Sequence, residues 1–167
     1  MQKKIIYSAL ILLAILLQLS FLPALAGKNL PGDAVLMLVL AMAVLDGFAL
    51  ALNWAIVAGI LVDFATYGTL GEHVIVFLLV IYVVSFFSRR LSVEVKGTGR
   101  LLFFLFVAAA SLISNGLLLT FLFLENKLVK SQLQFFSSSK GFLLQIICNT
   151  VLFFLWYQVV KKIKKVV

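Results

Sequence analysis

Long apolar runs without a single charge alternate with short polar segments along the chain. Residues 5–26, 101–124 and 141–160 are the three longest charge-free runs. A helix needs about 20 residues to cross about 30 Å of hydrocarbon, because each residue advances it by about 1.5 Å. Each run is therefore long enough, and we predict a membrane-spanning helix in each of the three.

A fourth helix is predicted from a shorter run and the residues before it. Residues 73–88 also carry no charge. Thr69, followed three residues later by Glu72, fits a capping box, in which the two side chains satisfy backbone N–H groups at a helix start. The pattern predicts a span over about residues 70–88.

The stretch from Ala34 to Ala65 has an ambiguous length. Its 32 residues would form a helix of roughly 48 Å, too long for one crossing and short for two. Because Lys and Arg concentrate on the cytoplasmic side of membrane proteins, we expect the three basic groups of the chain on one side. These groups are Lys3 and Lys4; Arg89, Arg90, Lys96 and Arg100; and Lys161, Lys162, Lys164 and Lys165.

Basic groups on one side require an even number of crossings between them, so this stretch must cross twice or not at all. We predict a short or partly re-entrant helical pair that turns near Asn53 and Trp54. The predicted fold is all-α: a polytopic membrane protein of six transmembrane helices, forming a single membrane domain over residues 1–167 with both termini cytoplasmic. The predicted spans are residues 5–26, 34–52, 54–67, 70–88, 101–124 and 141–160.

Composition agrees with this interpretation. The chain is 64% hydrophobic and 12% charged, whereas soluble domains have roughly 45–50% apolar and about 25% charged residues. These values exclude an ordinary soluble enzyme.

The formal net charge of +8 comes mainly from short basic groups at span ends, so it indicates membrane topology and not nucleic-acid binding. With one cysteine, Cys148, and one histidine, His73, we expect no metal site, no cofactor and no enzymatic activity.

A second interpretation of the N-terminus stays open. Two lysines, an apolar run and Ala24-Leu25-Ala26 resemble a signal peptide with its cleavage site. The apolar run is longer than is usual in signal peptides, and Pro23 is equally natural at a helix end. We expect a retained span, whereas cleavage would leave five spans and an external N-terminus.

Asp46 and Asp63 are the acidic residues within the apolar runs, where a charge at the bilayer centre costs about 2.5–3.5 kcal/mol. The six-span topology predicts both at middle depth on neighbouring antiparallel helices. One hypothesis is a proton or cation relay, with the two aspartates as a shared carboxylate pair. The other is that each aspartate is protonated or hydrogen-bonds a helix end in a broken helical hairpin.

Small residues recur at every fourth position in the same stretch, and such rows allow helices in lipid to pack closely. The row consists of Ala43, Gly47, Ala51, Ala55 and Gly59. We predict a helix–helix packing seam along it. Elsewhere, Ser111 and Asn115 share one helix face, and Gln145 and Asn149 share another, which predicts interhelical hydrogen bonds.

Residues 31–71 resemble a motif of the MreD family of rod shape-determining proteins. The resemblance is carried by Pro31 before the second span, by a run of glycine, three apolar residues and aspartate ending at Asp63, and by Gly68 and Gly71 after it. Chain length, six predicted helices and basic termini are similar to the family over nearly the whole chain.

The resemblance implies a fold-shaping role for Gly59, Asp63 and Gly71, with partner contact as a further role. One departure from the family pattern is Asp46 before Gly47. The family more often has a basic residue at that position, so a contact made by that basic residue is not expected to carry over.

The resemblance also implies a function. It is that of a non-enzymatic scaffold of the bacterial cell-elongation machinery in the cytoplasmic (inner) membrane, which supports peptidoglycan synthesis and cell-shape control. Members of the family bind the single-span protein MreC and work beside the actin-like MreB, a RodA-type glycosyltransferase and a class B penicillin-binding protein. The implied partners are these proteins and membrane lipid, without nucleic acid.

Two other functions stay open. Small six-helix bundles include the substrate-binding components of energy-coupling-factor vitamin transporters. A site for an anionic vitamin would favour an intramembrane Lys or Arg, and all 14 basic residues here lie near span ends or in loops. The remaining alternative is a small protein that conducts protons or cations through Asp46 and Asp63.

Overall fold

The computed structural model describes residues 2–26, 32–66, 69–90, 99–124 and 139–166, and within them the chain is helical with no strand. This confirms the all-α fold class. The helices are α1 (Gln2–Leu16), α2 (Leu22–Ala26), α3 (Ala34–Asp46), α4 (Phe48–Thr66), α5 (Glu72–Arg90), α6 (Gly99–Leu124) and α7 (Ser139–Val166). A π-helical turn over Leu17–Phe21 joins α1 to α2, so residues 2–26 are one continuous helical segment, and the described residues form six segments in all.

Four of the six segments are long and apolar enough to cross a membrane. These spans are Lys3–Ala24, Phe48–Thr66, Phe103–Phe121 and Gly141–Lys165. Two further apolar stretches, Ala34–Asp46 and Glu72–Phe86, are shorter. The chain therefore has the character of a polytopic membrane protein, as its charge-free runs predict.

The short helix α3 lies at the centre of the bundle. Every residue from Ala34 to Met42 is fully buried, and the helix packs against α1, α4, α5 and α7. A helix that is apolar on all sides must be surrounded by other apolar surface. Because protein and not lipid surrounds it, α3 is not required to reach both membrane interfaces and can be only 13 residues long.

The predicted turn near Asn53 and Trp54 is wrong, because both residues lie inside α4. The helical structure is interrupted at Gly47, where φ is +92°. Glycine adopts this conformation without the steric penalty of a side chain. The helical pair is therefore one short helix of 13 residues followed by one full-length helix of 19, whereas the predicted spans 34–52 and 54–67 made the first helix the longer one.

Contacts between helix ends fix the direction of each helix. Lys3 near the start of α1 bonds Asp46 at the end of α3, and Lys164 near the end of α7 bonds the Leu45 carbonyl. One end of the bundle, called the basic end below, therefore gathers the lysines of α1 and α7. Its lysines are Lys3, Lys4, Lys161, Lys162, Lys164 and Lys165.

The predicted packing row divides into two parts in the structure. Ala43, Ala51 and Ala55 are buried in the core. Gly59 is also buried, and its α-carbon comes so close to α5 that an added Cβ would lie 2.7 Å from the Val74 backbone nitrogen. Gly47 is exposed and belongs to the turn, so it has no part in the packing seam.

Candidate functional site

Asp63 of α4 caps the start of the neighbouring helix α5. Its Oδ2 accepts a hydrogen bond from the Gly71 amide at 2.6 Å, and its Oδ1 accepts one from the His73 amide at 3.1 Å. The first N–H groups of a helix have no acceptor within it, and leaving one unsatisfied in hydrocarbon costs several kcal/mol. The Asp63 side chain, which is 0% exposed, supplies the missing acceptors.

The His73 side chain completes the surroundings of this carboxylate. Its Nδ1 lies 2.7 Å from Asp63 Oδ1 and its ring is 15% exposed. An ionised carboxylate only accepts hydrogen bonds, so Nδ1 carries the proton in this contact when Asp63 is charged. Asp63 therefore holds both the backbone and the side chain of His73.

The capping box predicted from Thr69 and Glu72 differs from the structure. The Thr69 hydroxyl donates to Glu72 Oε2 at 3.0 Å, so the two side chains bond each other. The helix begins at Glu72 and not near Leu70, because the amide of Gly71, where φ is +99°, is directed to Asp63. The side-chain acceptors at the start of α5 thus come from Asp63 of α4, while the Glu72 amide donates to the Thr69 carbonyl at 3.2 Å.

Three residues of the family motif meet at this point. Gly59 allows α4 to approach α5 at Val74, Asp63 caps α5, and Gly71 provides the left-handed turn between them. We call Gly59, Asp63, Gly71, His73 and Val74 the α4–α5 cap. The motif residues Pro31 and Gly68 lie outside the described residues.

The buried start of α3 is capped in a similar way by three different elements. Asp33 Oδ1 accepts from the Leu36 amide at 3.0 Å, and Gln18 Oε1, from the π-helical turn, accepts from the Val35 amide at 3.1 Å. The amide of Asp33 donates to Asn149 Oδ1 of α7 at 2.9 Å. Each of these side chains supplies an acceptor that no water can provide at this buried position.

The predicted interhelical hydrogen bonds between α6 and α7 are confirmed. Asn115 and Gln145 exchange two hydrogen bonds through their amide groups, at 2.6 and 3.0 Å. One turn further along, Asn149 Nδ2 donates to the Ser111 hydroxyl at 2.8 Å. We call the four residues Ser111, Asn115, Gln145 and Asn149 the polar seam. Since Asn149 also accepts a hydrogen bond from the Asp33 amide, it links the polar seam to the start of α3.

Asp46 has a different environment, at the basic end. It accepts hydrogen bonds from Lys3 Nζ, at 3.1 Å, and from the Tyr7 hydroxyl. Lys164 Nζ lies 3.9 Å from the same carboxylate. All of these partners are side chains, and they tie the end of α3 to α1 and α7.

The structure does not bring Asp46 and Asp63 together. Asp46 ends α3, just before α4 begins, and Asp63 lies near the other end of α4. The 15 residues from Phe48 to Asp63 advance the helix by about 22 Å. The expected common middle depth is therefore wrong, and the two residues do not form a shared carboxylate pair. Among the described residues, no group of three or more His, Cys, Asp or Glu side chains is arranged to hold a metal ion.

The structural roles of Gln18, Asp33 and Tyr7 were not predicted from the sequence. Gln18 had a signal, since it is a polar residue inside a charge-free run. Asp33 also had one, because aspartate directly before an apolar run is typical of an N-cap. Tyr7 had no comparable signal, because an aromatic residue near a span end is equally expected at the membrane interface.

Comparison with known proteins identifies the family. No sequence among curated proteins matches the chain, and no solved structure matches it. The family described as rod shape-determining protein MreD matches residues 2–163 of the 167-residue chain. This match covers five of the six helical segments completely and the last one up to residue 163, and it includes the α4–α5 cap and the hydrogen bonds between α6 and α7. The chain therefore belongs to the MreD family of rod shape-determining membrane proteins.

Proposed function

We propose that this protein is a non-enzymatic scaffold of the bacterial cell-elongation machinery that binds an MreC-like single-span protein and supports peptidoglycan synthesis. The observation that carries the proposal is the family match over residues 2–163. MreB, a RodA-type glycosyltransferase and a class B penicillin-binding protein belong to the same proposed assembly. The protein acts in it by holding partners, and the bundle provides a rigid surface for them.

The bonding of the acidic side chains supports a structural role. The described residues include four of them, and each accepts a hydrogen bond from another group of the chain. Asp33 and Asp63 cap helices, Asp46 binds Lys3 and Tyr7, and Glu72 binds Thr69. These carboxylates hold the fold together, which is the use expected of polar groups in a scaffold within lipid.

The direct test is co-purification. An affinity-tagged form of this chain is expressed with the MreC-like protein from the same genome and extracted in a mild detergent. The proposal predicts that the MreC-like protein is retained in a stable ratio, while an unrelated single-span protein expressed at the same level is not. If the tagged chain elutes as a folded species but retains neither the MreC-like protein nor the control protein, the proposal is contradicted.

A second test separates scaffold from relay. Asp63→Asn keeps a carbonyl acceptor for the α5 amides but cannot carry a proton, so the proposal predicts that it restores rod shape in a strain depleted of the native protein. Asp63→Leu keeps no acceptor and is expected to reduce the folded yield. Loss of rod shape in Asp63→Asn, with normal yield and normal partner binding, would instead support a relay.

We further propose that the protein lies in the inner membrane with both termini in the cytoplasm. The six lysines that α1 and α7 contribute to the basic end support this orientation. The single cysteine makes labelling practical, because Cys148→Ala removes it. A cysteine introduced at Lys162 is expected to react with an impermeant maleimide in inverted vesicles and not in intact spheroplasts. The reverse pattern would overturn the orientation.

A further inference from the structure

The basic end contains an open cavity between α1 and α4. Its volume is about 440 Å³, within the roughly 300–1,000 Å³ of small-molecule sites. The first two turns of α1 and the first half of α4 form its walls. Lining residues include Lys3, Lys4 and Tyr7 from α1 and Asn53, Trp54 and Val57 from α4.

The mouth of the cavity carries an uncompensated positive charge. The Lys4 side chain is exposed, and within the described residues it forms no ion pair. Lys3 forms an ion pair with Asp46 at 3.1 Å, and Lys164 Nζ lies 3.9 Å from the same carboxylate. Two lysines therefore lie beside one carboxylate, and a further lysine, Lys4, lines the cavity without an acidic partner among the described residues. An anion entering here meets a net positive field.

The inner wall is aromatic and apolar. Trp54 packs edge-on against Tyr7 with ring centroids 5.9 Å apart, and tryptophan and tyrosine are enriched where lipid headgroups meet hydrocarbon. Leu50 and Val57 line the same wall, and Val57 is 44% exposed. An apolar wall with an exposed aliphatic side chain is suited to contact with an acyl chain. The side-chain amide of Asn53 lines the same cavity and can form hydrogen bonds.

We propose that this cavity binds the headgroup of an anionic phospholipid. The phosphate lies beside Lys4 and Lys3, and an acyl chain runs along Leu50 and Val57. Charge at the mouth and apolar surface on the wall match the two halves of such a lipid. The site is independent of the proposed role in cell elongation, since it uses no residue of the α4–α5 cap.

The test uses the fluorescence of Trp54. The chain has two tryptophans, and Trp156→Phe removes the other one, whose indole nitrogen is buried without a hydrogen-bond partner among the described residues. The variant is reconstituted in phosphatidylcholine vesicles that contain an increasing fraction of phosphatidylglycerol with a brominated chain, which quenches nearby tryptophan. A parallel series uses brominated phosphatidylcholine.

The proposal predicts that phosphatidylglycerol quenches Trp54 at a lower mole fraction than phosphatidylcholine. In the same background, Lys4→Ala is expected to reduce this preference about five-fold, the factor that corresponds to one lysine close to an anionic surface. Lys162→Ala is the matched control, because Lys162 is an exposed lysine at the same end that does not line the cavity. It is expected to leave the preference unchanged.

Inorganic phosphate distinguishes a lipid site from a site for the soluble anion. Phosphate is expected to change the quenching no more than sodium chloride of equal ionic strength, because it has no acyl chain to contact the apolar wall. A preference abolished by phosphate but kept in chloride would assign the site to the soluble anion and overturn the proposal. Equal quenching by both lipids, or equal effects of Lys4→Ala and Lys162→Ala, would also overturn it.

Discussion

Asp63 and Asp46 lie near opposite ends of α4, and each is hydrogen-bonded within the chain. Asp63 binds the backbone amides of Gly71 and His73, which are fixed parts of a helix start. Asp46 binds Lys3 and Tyr7, with Lys164 nearby. Asp63 accepts hydrogen bonds from backbone amides, which any sequence with this backbone would have. Asp46 accepts them from the side chains of Lys3 and Tyr7, which depend on the residues at those two positions.

This difference explains which of the two positions can vary. Backbone amides at the start of α5 always require an acceptor, so another residue at position 63 must also accept hydrogen bonds. Side-chain partners can change together with the residue they bind. A basic residue at position 46 would therefore need only different neighbours, and the fold could keep the same turn at Gly47.

The sharpest test of the comparison is removal of the acceptor at position 63. Asp63→Leu leaves two buried amides without partners, and we expect the free energy of unfolding to fall by about 3 kcal/mol. Asp63→Asn, with one carbonyl acceptor, is expected to lose about half of that. Thermal unfolding in detergent, followed by size-exclusion chromatography, measures both. A leucine variant as stable as the parent would show that the cap is not needed.

The close approach of α4 and α5 gives the next largest expected effect. An alanine Cβ at Gly59 would lie 2.7 Å from backbone atoms of Val74, so Gly59→Ala must push the helices apart and is expected to cost about 2 kcal/mol. Gly116→Ala is the matched control, because nothing lies within 4 Å of its added Cβ. It is expected to be neutral or to stabilise α6 by up to about 1 kcal/mol. Equal unfolding temperatures for the two variants would contradict the close approach.

Charge inversion at the basic end is expected to have a smaller effect. Asp46→Lys places a third cation beside Lys3 and Lys164, whose side chains are 33% and 50% exposed. Because solvent screens the two lysines, we expect the added repulsion to cost about 1 kcal/mol, to which the lost acceptor of the buried Tyr7 hydroxyl adds. Adding Lys3→Asp restores an opposite-charge pair and should remove most of the cost of repulsion, as a double-mutant cycle would measure. Additive losses would show that position 46 does not act through these lysines.

Salt provides the smallest and most selective contrast. Raising NaCl from about 0.05 M to about 0.5 M shortens the screening length several-fold. The difference between the parent and Asp46→Lys is then expected to shrink by about 0.5 kcal/mol. The effect of Asp63→Leu is expected to change less, because that substitution removes the acceptor of two uncharged backbone amides. An equal salt dependence at Asp63 would remove the distinction between the two ends.

The sequence was sufficient to predict the helices of the bundle but not the place where one of them breaks. Charge-free runs predict α6 and α7 closely, because a long lipid-facing helix must avoid charge over its whole length. The turn at Gly47 was missed because a turn near Asn53 and Trp54 assumes that the first helix of the pair must cross the lipid by itself. α3 is surrounded by protein, and that is a property of the packed bundle and not of the local sequence.

The contacts of the polar residues also depend on the packed bundle, so the sequence alone did not predict them. The motif identified Gly59, Asp63 and Gly71 as belonging together, yet the pattern alone does not show that a carboxylate on α4 accepts from amides at the start of α5. Pairing Asp63 with Asp46 assumed a turn at the wrong residue. When the turn moves to Gly47, the two aspartates separate by most of the length of α4.

The bond between Asp33 and Asn149 has a consequence for the time course of synthesis. Asn149 lies 116 residues after Asp33, a distance that takes roughly 6–23 s to synthesise at a translation rate of about 5–20 residues per second. Asp63 and Gly71 are only eight residues apart, so the cap of α5 is available almost at once. The α4–α5 hairpin can thus form while the ribosome is still at work, whereas the central helix acquires its last hydrogen-bond partner only when the final span has entered the membrane.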